Sequence, residues 1–143
     1  LMREIKFIVI HCTGTPQSAK VESIQRYWRE VLGWRSPGYH RIVTPSGFAP
    51  MLAADNQVCN GVAGYNRESL YVSYIGGVDA QGKPLDNRTP EQRAELEKIV
   101  REWAAKYPTA KIMGHRDFPR VAKACPSFNV KKWCEEVGIN PNW

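Results

Sequence analysis

The 143-residue sequence lacks the features that mark several large classes of protein. Its longest tight apolar run is FIVI at residues 7–10, far short of the roughly 20 residues that cross a bilayer, so we expect no membrane span. No block of five or more Lys or Arg residues occurs, which argues against a basic arm for nucleic acid. Charged Arg3, Glu4 and Lys6 lead directly into the apolar run, so no signal peptide is recognisable.

Cysteine and histidine are also scarce, with four and three residues respectively. The cysteines are too few and too scattered for a disulfide scaffold, and the absence of a C-x-x-C pair excludes a zinc ribbon and a thioredoxin-type redox site. Free thiols, of which one or more serve a metal, agree better with this usage. The four are Cys12, Cys59, Cys125 and Cys134.

The remaining composition is typical of one globular domain, predicted to span residues 1–143. Hydrophobic residues make up 43% of the chain and charged residues 24%, which gives enough apolar material for a core. The 20 Lys and Arg residues exceed the 14 Asp and Glu residues, which gives a net charge of +6. This charge attracts polyanions but does not indicate which polyanion the protein binds. A solvated surface of mixed sign is the alternative interpretation.

Hydrophobic periodicity predicts an α/β fold with a central, mostly mixed β-sheet flanked by about three main helices. Strands are predicted at residues 5–11, 39–44, 48–52, 70–75 and 110–114. The second and third of these are predicted to form a hairpin. Helices are predicted at residues 19–34, 89–107 and 129–137.

The clearest helix start is the segment Thr89-Pro90-Glu91-Gln92. Thr89 can cap the helix, Pro90 suits its first position, and Gln92 completes a capping box. Gly138 is the predicted stop of the last helix, because glycine readily adopts the left-handed conformation found there.

Two of the three histidines, His11 and His115, lie where a predicted strand gives way to a loop, and Cys125 follows ten residues after His115. Strand ends are where catalytic groups gather in α/β sheets. Two imidazoles and a thiolate suit zinc, and three protein ligands leave a fourth position for water, which is typical of a catalytic site. Ligands so distant in the chain have no local signature. Singly hydrogen-bonded histidines and a packed cysteine therefore remain alternatives.

The other candidate ligands are weaker. Cys12 should point away from His11, because side chains alternate along a strand. His40 is interpreted as a core residue or a support for the site, and Cys134 as a packing residue of the last helix. Cys59 is left undetermined.

Six segments occur in an order that closely resembles the zinc-dependent N-acetylmuramoyl-L-alanine amidases of type 2, a family that includes phage amidase lysozymes and peptidoglycan recognition proteins. The resemblance runs from about residue 5 to residue 133, and six segments in register are highly specific. The segments are FIVIHCT (7–13), GYHRIV (38–43), GYN (64–66), GGVD (76–79), GHRD (114–117) and KACPSF (123–128).

The resemblance implies a role for five residues. His11, His115 and Cys125 match the family's zinc ligands, which implies one Zn²⁺ per chain. Tyr39 matches the catalytic tyrosine, and Lys123 matches a lysine that is catalytic in phage members. The implied reaction is hydrolysis of the amide between the lactyl group of N-acetylmuramic acid and L-alanine in peptidoglycan. A zinc-activated water is the implied nucleophile, with Tyr39 and Lys123 assisting.

A non-catalytic peptidoglycan-binding module is the alternative, but such relatives have often lost the cysteine that Cys125 preserves here. The expected partner is peptidoglycan or a muropeptide; nucleic acid is not favoured, and a monomer is. We expect a single catalytic domain without a separate wall-binding domain. The lack of a recognisable leader favours cytoplasmic synthesis with release to the cell wall, as for a bacteriolytic endolysin.

The sequence departs from the common family pattern at two places. Many relatives carry histidine where Gly61 stands, and many have Ser-Ile-Gly-Val where residues 69–72 are Ser-Leu-Tyr-Val. Both departures are expected near the substrate groove and affect the finer substrate preference.

Charged residues around these motifs have weaker claims to a role. Asp117 is a candidate for orienting His115 or a substrate group, although a turn role is favoured. Arg41, Arg67 and Arg116 can steer an anionic substrate, although plain surface charge is favoured for each.

Overall fold

The computed structural model describes residues 3–143, so the first two residues of the predicted domain lie outside the described residues. A four-stranded sheet has helices against both faces, which confirms the predicted α/β class. The strands are β1 (Phe7–Cys12), β2 (Arg41–Val43), β3 (Ser69–Tyr74) and β4 (Lys111–Gly114). The α-helices are α1 (Val21–Arg26), α2 (Pro90–Lys106) and α3 (Val130–Val137).

The sheet is parallel rather than mostly mixed. The strand order is β2-β3-β1-β4, and all pairings between these four strands are parallel. Antiparallel pairing occurs only at isolated bridges within residues 3–143, one of which joins Arg41 to Met51. The predicted hairpin is reduced to that bridge because its second strand is largely exposed, with Phe48 67% and Met51 63% exposed, and contains Pro50, which has no N–H to donate.

The central strand β1 divides its side chains between two cores. Ile8, Ile10 and Cys12 lie in the cluster that includes the buried residues of α2 and α3. Val9 and His11 point to the opposite face, where Val9 joins a second cluster. Cys12 therefore points away from His11, as the strand alternation predicted.

The predicted helix at residues 19–34 is shorter and changes type partway. After α1 the chain forms a π-helical turn, Tyr27–Val31, in which the Leu32 N–H bonds to a carbonyl five residues earlier. The wider turn rotates the following residues away from the sheet. Helical spacing places Val31 and Leu32 on the same apolar face as Trp28, but they are 66% and 40% exposed, whereas Trp28 is buried.

Helix α2 begins as predicted and ties the sheet to the helical layer. Thr89 Oγ1 accepts the Gln92 N–H at 3.0 Å, and Gln92 Oε1 accepts the Thr89 N–H at 2.9 Å. The Gln92 amide also donates to Val43 O at 3.1 Å and to Ile75 O at 3.0 Å, at the ends of β2 and β3. At 17 residues α2 is the longest described helix, and none in residues 3–143 is long and apolar enough to cross a bilayer.

The last helix also agrees with the sequence. Gly138 ends α3 in the left-handed conformation, with φ of 76°. Cys134 is completely buried there, which confirms its packing role, and Cys59 is equally buried in the opposite core.

His40, directly before β2, is a fully buried and fully hydrogen-bonded histidine. Its Nε2 donates to Gln57 O at 2.8 Å, and its Nδ1 accepts the Tyr71 N–H at 3.1 Å, which assigns the neutral tautomer. Burial lowers the pKa of His40 to about 4, against an opposing effect of the hydrogen bond to Gln57. The structure confirms its interpretation as a core residue.

The low pKa of His40 predicts an acid-sensitive fold. The unfolded residue binds a proton below pH 6.5, whereas the folded one does so only near pH 4, so stability falls as the pH drops through this interval. The contribution amounts to about 3 kcal/mol. The free energy of unfolding, measured by urea denaturation at a series of pH values, should fall less steeply with decreasing pH for His40→Gln than for the wild type. NMR titration of wild-type His40 provides a check without mutation, and a pKa at or above 6.5 would contradict the prediction.

Candidate active site

Two histidines meet at the carboxyl edge of the sheet because β1 and β4 are parallel neighbours. Ile10 pairs with Gly114 in the register, so His11 and His115, the next residue of each chain segment, lie side by side. Their ring centroids are 4.7 Å apart. Cys125 reaches the same point from a loop, and one ligand atom from each of the three lies within 4.8 Å of the others.

The spacing and chemistry of this group suit a metal ion. Cys125 Sγ lies 3.8 Å from His11 Nδ1, close to the edge of about 3.6 Å that tetrahedral Zn–S and Zn–N bonds would give. His11 is 2% exposed, yet its Nε2 has no hydrogen-bond partner within residues 3–143. The ring nitrogen that faces Cys125 is Nδ1, so a metal bound there would leave the proton of the neutral ring on Nε2. Two imidazoles and a thiol are a donor set that zinc prefers.

Burial keeps both imidazoles neutral. It lowers the pKa of His11 well below its ordinary value, assisted by His115 and Lys123. The pKa of His115 falls to about 4, chiefly through burial and then through Lys123. Neutral rings have lone pairs available for a metal at neutral pH. The hydrogen bond with the Cys12 side chain and then burial raise the pKa of Cys125, which a bound divalent cation would counteract.

The loop that carries Cys125 is anchored to the sheet on several sides. The Cys12 N–H donates to Cys125 Sγ at 3.2 Å, and the Arg116 N–H donates to Cys125 O at 2.9 Å. The buried Tyr74 at the end of β3 donates its hydroxyl to Pro126 O at 2.6 Å. These bonds fix the thiol relative to the two histidines before any ligand arrives.

Tyr39 and Lys123 complete the cavity that contains the metal-ligating group. The Tyr39 ring centroid is 5.0 Å from that of His11, and its hydroxyl donates to Cys12 O at 3.4 Å. Burial raises the pKa of Tyr39, so its hydroxyl stays protonated. Lys123 is exposed at the rim. The structure therefore brings all five predicted site residues to one cavity of about 340 Å³.

A second, larger cavity adjoins the first. It has a volume of about 910 Å³ and shares with the first the residues Trp34, Asn60, Gly61, His115 and Lys123. Arg120 also lines it. Gly61 was expected near the substrate groove and residues 65 and 66 belong to the GYN segment, whereas Trp34 and Arg120 lie in none of the six segments.

The weaker sequence candidates lie outside this site. Asp117 accepts the Gly114 N–H at 2.8 Å, which is the favoured turn role. Arg41 donates to Ala49 O at 2.8 Å instead of facing the cavities. Arg67 and Arg116 are exposed and line neither cavity, in agreement with plain surface charge.

Known proteins resemble this chain in sequence, and solved structures resemble it in fold. The family model described as N-acetylmuramoyl-L-alanine amidase matches residues 1–128. The endolysin of Enterobacteria phage K11 is 36% identical over 132 residues, which cover 92% of this chain and 86% of that protein. The endolysin of Escherichia phage T7 is 35% identical over 130 residues, covering 90% and 85%. The solved Ph2119 endolysin from Thermus scotoductus MAT2119 bacteriophage Ph2119 has a TM-score of 0.79 at 23% identity, covering 96% and 86%.

The family match and the endolysin relatives show that the protein is a hydrolase, and its candidate metal centre lies at the carboxyl edge of a parallel sheet. The chain belongs to the N-acetylmuramoyl-L-alanine amidase family, type 2, and is an amidase that hydrolyses amide bonds of peptidoglycan. The resemblance found in the six sequence segments is thus confirmed.

The backbone of Gly77 passes so close to the Cys12 side chain that we expect substitution of this glycine to destabilise the protein. A Cβ on Gly77, whose φ is +97°, would lie 2.3 Å from Cys12 Sγ, whereas one on Gly82 at φ +79° meets nothing within 4 Å. Both alanine variants strain the backbone, but only Gly77→Ala adds a clash in the core. We expect it to lower the free energy of unfolding by about 1–3 kcal/mol more than Gly82→Ala. If chemical denaturation shows that both variants lose the same free energy of unfolding, the close contact of Gly77 with Cys12 is contradicted.

Proposed function

We propose that this amidase cleaves the amide between the lactyl group of N-acetylmuramic acid and L-alanine, using one zinc ion held by His11, His115 and Cys125. The observation that carries the proposal is the group of these three ligands, which opens into the cavity lined by Tyr39 and Lys123. Three protein ligands at a cavity wall leave room for solvent and substrate, as in catalytic rather than structural zinc sites.

The protein's own contribution begins with the ligands. When bound, zinc supplies Lewis acidity, which polarises an amide carbonyl and lowers the pKa of a water molecule to about 7. His11 and His115 offer neutral donors because burial suppresses their protonation. Hydrogen bonds between the Cys125 sulfur and the backbone N–H and C=O of Cys12 hold the sulfur toward them. Little rearrangement is therefore needed when the metal binds.

Tyr39 and Lys123 are proposed to stabilise the charge that develops during amide hydrolysis. Attack on the carbonyl places negative charge on its oxygen, and nearby donors lower the barrier most where water is partly excluded. Lys123 lines the cavity with a positive charge, and Tyr39 lines it with a hydroxyl that burial keeps protonated. Either group can donate a hydrogen bond to that oxygen.

Peptidoglycan or a muropeptide is the proposed partner, and the wall is the proposed place of action after synthesis in the cytoplasm. The net charge of +6 favours approach to a polymer that bears carboxylates. A muropeptide-binding module without activity is the second candidate that the sequence left open, and the intact set of three ligands favours the enzyme.

Digestion of purified cell walls tests the reaction directly. The zinc-loaded protein should release new amino-terminal L-alanine without generating new reducing sugar ends. Absence of new amino termini with zinc present would contradict the proposed amidase reaction. Retained muropeptide affinity in that case would identify the binding module instead.

Metal content should depend on Cys125 but not on another buried thiol. We expect about one zinc per wild-type chain and loss of the metal in Cys125→Ala, because two imidazoles alone hold zinc poorly. Cys134→Ala removes a completely buried thiol from α3 and is the matched control, which should keep its zinc. Elemental analysis after dialysis measures both variants. Zinc retained by Cys125→Ala would contradict the ligand assignment.

Removal of either proposed donor should slow catalysis without releasing the metal. Lys123→Ala and Tyr39→Phe should each lower kcat by about 10²- to 10³-fold, the usual cost of losing one such hydrogen-bond donor. Lys132→Ala, at an exposed lysine on α3, serves as the control and should keep wild-type kcat. Release of L-alanine from a soluble muropeptide gives the rates. A kcat within a few-fold of wild type in both variants would remove these residues from the mechanism.

A further inference from the structure

The two departures from the family pattern, at Gly61 and in β3, form one structural feature. Tyr71 occupies the middle of β3 and is completely buried on the face that also carries His11. A Cβ on Gly61 would lie 2.6 Å from three carbon atoms of the Tyr71 ring. A glycine at position 61 is therefore what allows a tyrosine at position 71.

The ring of Tyr71 lies directly behind the metal-ligating group. Its centroid is 5.2 Å from that of His11, with the rings nearly perpendicular at 79°. Edge-to-face packing of this kind restrains the orientation of a neighbouring ring. The aromatic part of Tyr71 thus supports His11 from the side away from the cavity.

The hydroxyl of Tyr71 organises the turn that follows Asn60. It accepts the Val62 N–H at 3.0 Å and donates to Asn66 Oδ1 at 2.6 Å. Asn66 Oδ1 also accepts the N–H groups of Gly61 and Val62, each at 3.0 Å. Two side-chain oxygens therefore hold the backbone of residues 61–66 in place from within the protein.

This turn is a wall of the larger cavity. Gly61 lines both cavities, and Val62 and Asn66 line the larger one. Lys123 and Arg120 also line the larger cavity, and no Asp or Glu does so within residues 3–143. A cavity of this charge suits the carboxylate-bearing peptide of a muropeptide better than its uncharged sugars.

We propose that Tyr71 is a positioning residue for substrate selection, whose hydroxyl fixes the 61–66 wall against which the peptide beyond L-alanine binds. The inference rests on the proposed function, because it assumes that the scissile amide lies in the smaller cavity beside the metal ligands. It adds that the peptide arm then extends along the larger cavity, and that the shape of this cavity depends on a residue that does not touch substrate.

Substrates of two lengths separate this role from a general structural one. Tyr71→Phe keeps the ring behind His11 and removes only the hydroxyl. For the zinc-loaded protein we expect KM for N-acetylmuramoyl tripeptide to rise by about 5- to 10-fold, with kcat within about twofold of wild type, as for the loss of buried hydrogen bonds. KM for N-acetylmuramoyl-L-alanine methylamide, which ends before the larger cavity, should not change.

Two further variants control this comparison. Tyr107→Phe removes a tyrosine hydroxyl outside both cavities and should leave both KM values unchanged. Asn66→Ala removes the other oxygen and should reproduce the selective rise in KM. It also tests the proposal if Tyr71→Phe fails to fold. The double variant should add little to either single change, because both act on the same wall.

The proposal is overturned if Tyr71→Phe leaves KM for the tripeptide substrate unchanged, or if KM rises equally for both substrates. A wild-type protein that cleaves neither substrate would contradict the proposed function instead. The wall is then tested by calorimetry with the intact tripeptide ligand. A 5- to 10-fold weaker Kd in Tyr71→Phe supports the proposal, at about the cost of a buried hydrogen bond, and an equal Kd overturns it.

Discussion

The parallel pairing of β1 with β4 is the constraint on which the active site depends. It places His11 and His115 at one edge of the sheet, one residue beyond the paired Ile10 and Gly114. A shift of one residue in this register would turn His11 to the opposite face and separate the two rings. Gly114 contributes again through its small size, because a Cβ there would lie 2.8 Å from Pro126 and displace the loop that carries the third ligand.

Each face of the sheet serves a different purpose. The face toward α2 and α3 is a continuous apolar core, which secures the strands. The other face combines apolar packing with polar groups, since Tyr71 packs behind His11 and bonds to the loop at Asn66. Burial among such groups lowers the histidine pKa values and leaves the rings available to a ligand. Stability and chemistry thus share the same strands but use alternate side chains.

Much of this arrangement could be predicted from the sequence, and the failures have physical causes. Local signals identified the start of α2 at Thr89, because capping uses residues close in sequence. Spacing alone could not establish the ligand set, because Cys125 approaches His11 only through tertiary structure; the family resemblance supplied it. The parallel sheet and the π-helical turn were missed, since the partners of a strand and the helix type after Arg26 depend on contacts distant in sequence. The contact of Gly61 with Tyr71 is equally nonlocal.

X-ray absorption at the zinc edge of the loaded protein reports on these three ligands without mutation. We expect one sulfur at about 2.3 Å and two imidazole nitrogens at about 2.0–2.1 Å, with one further light atom from solvent. That spectrum would establish a tetrahedral site built from Cys125, His11 and His115 with one position open. Two or more sulfur ligands, or a shell of light atoms without sulfur, would contradict it.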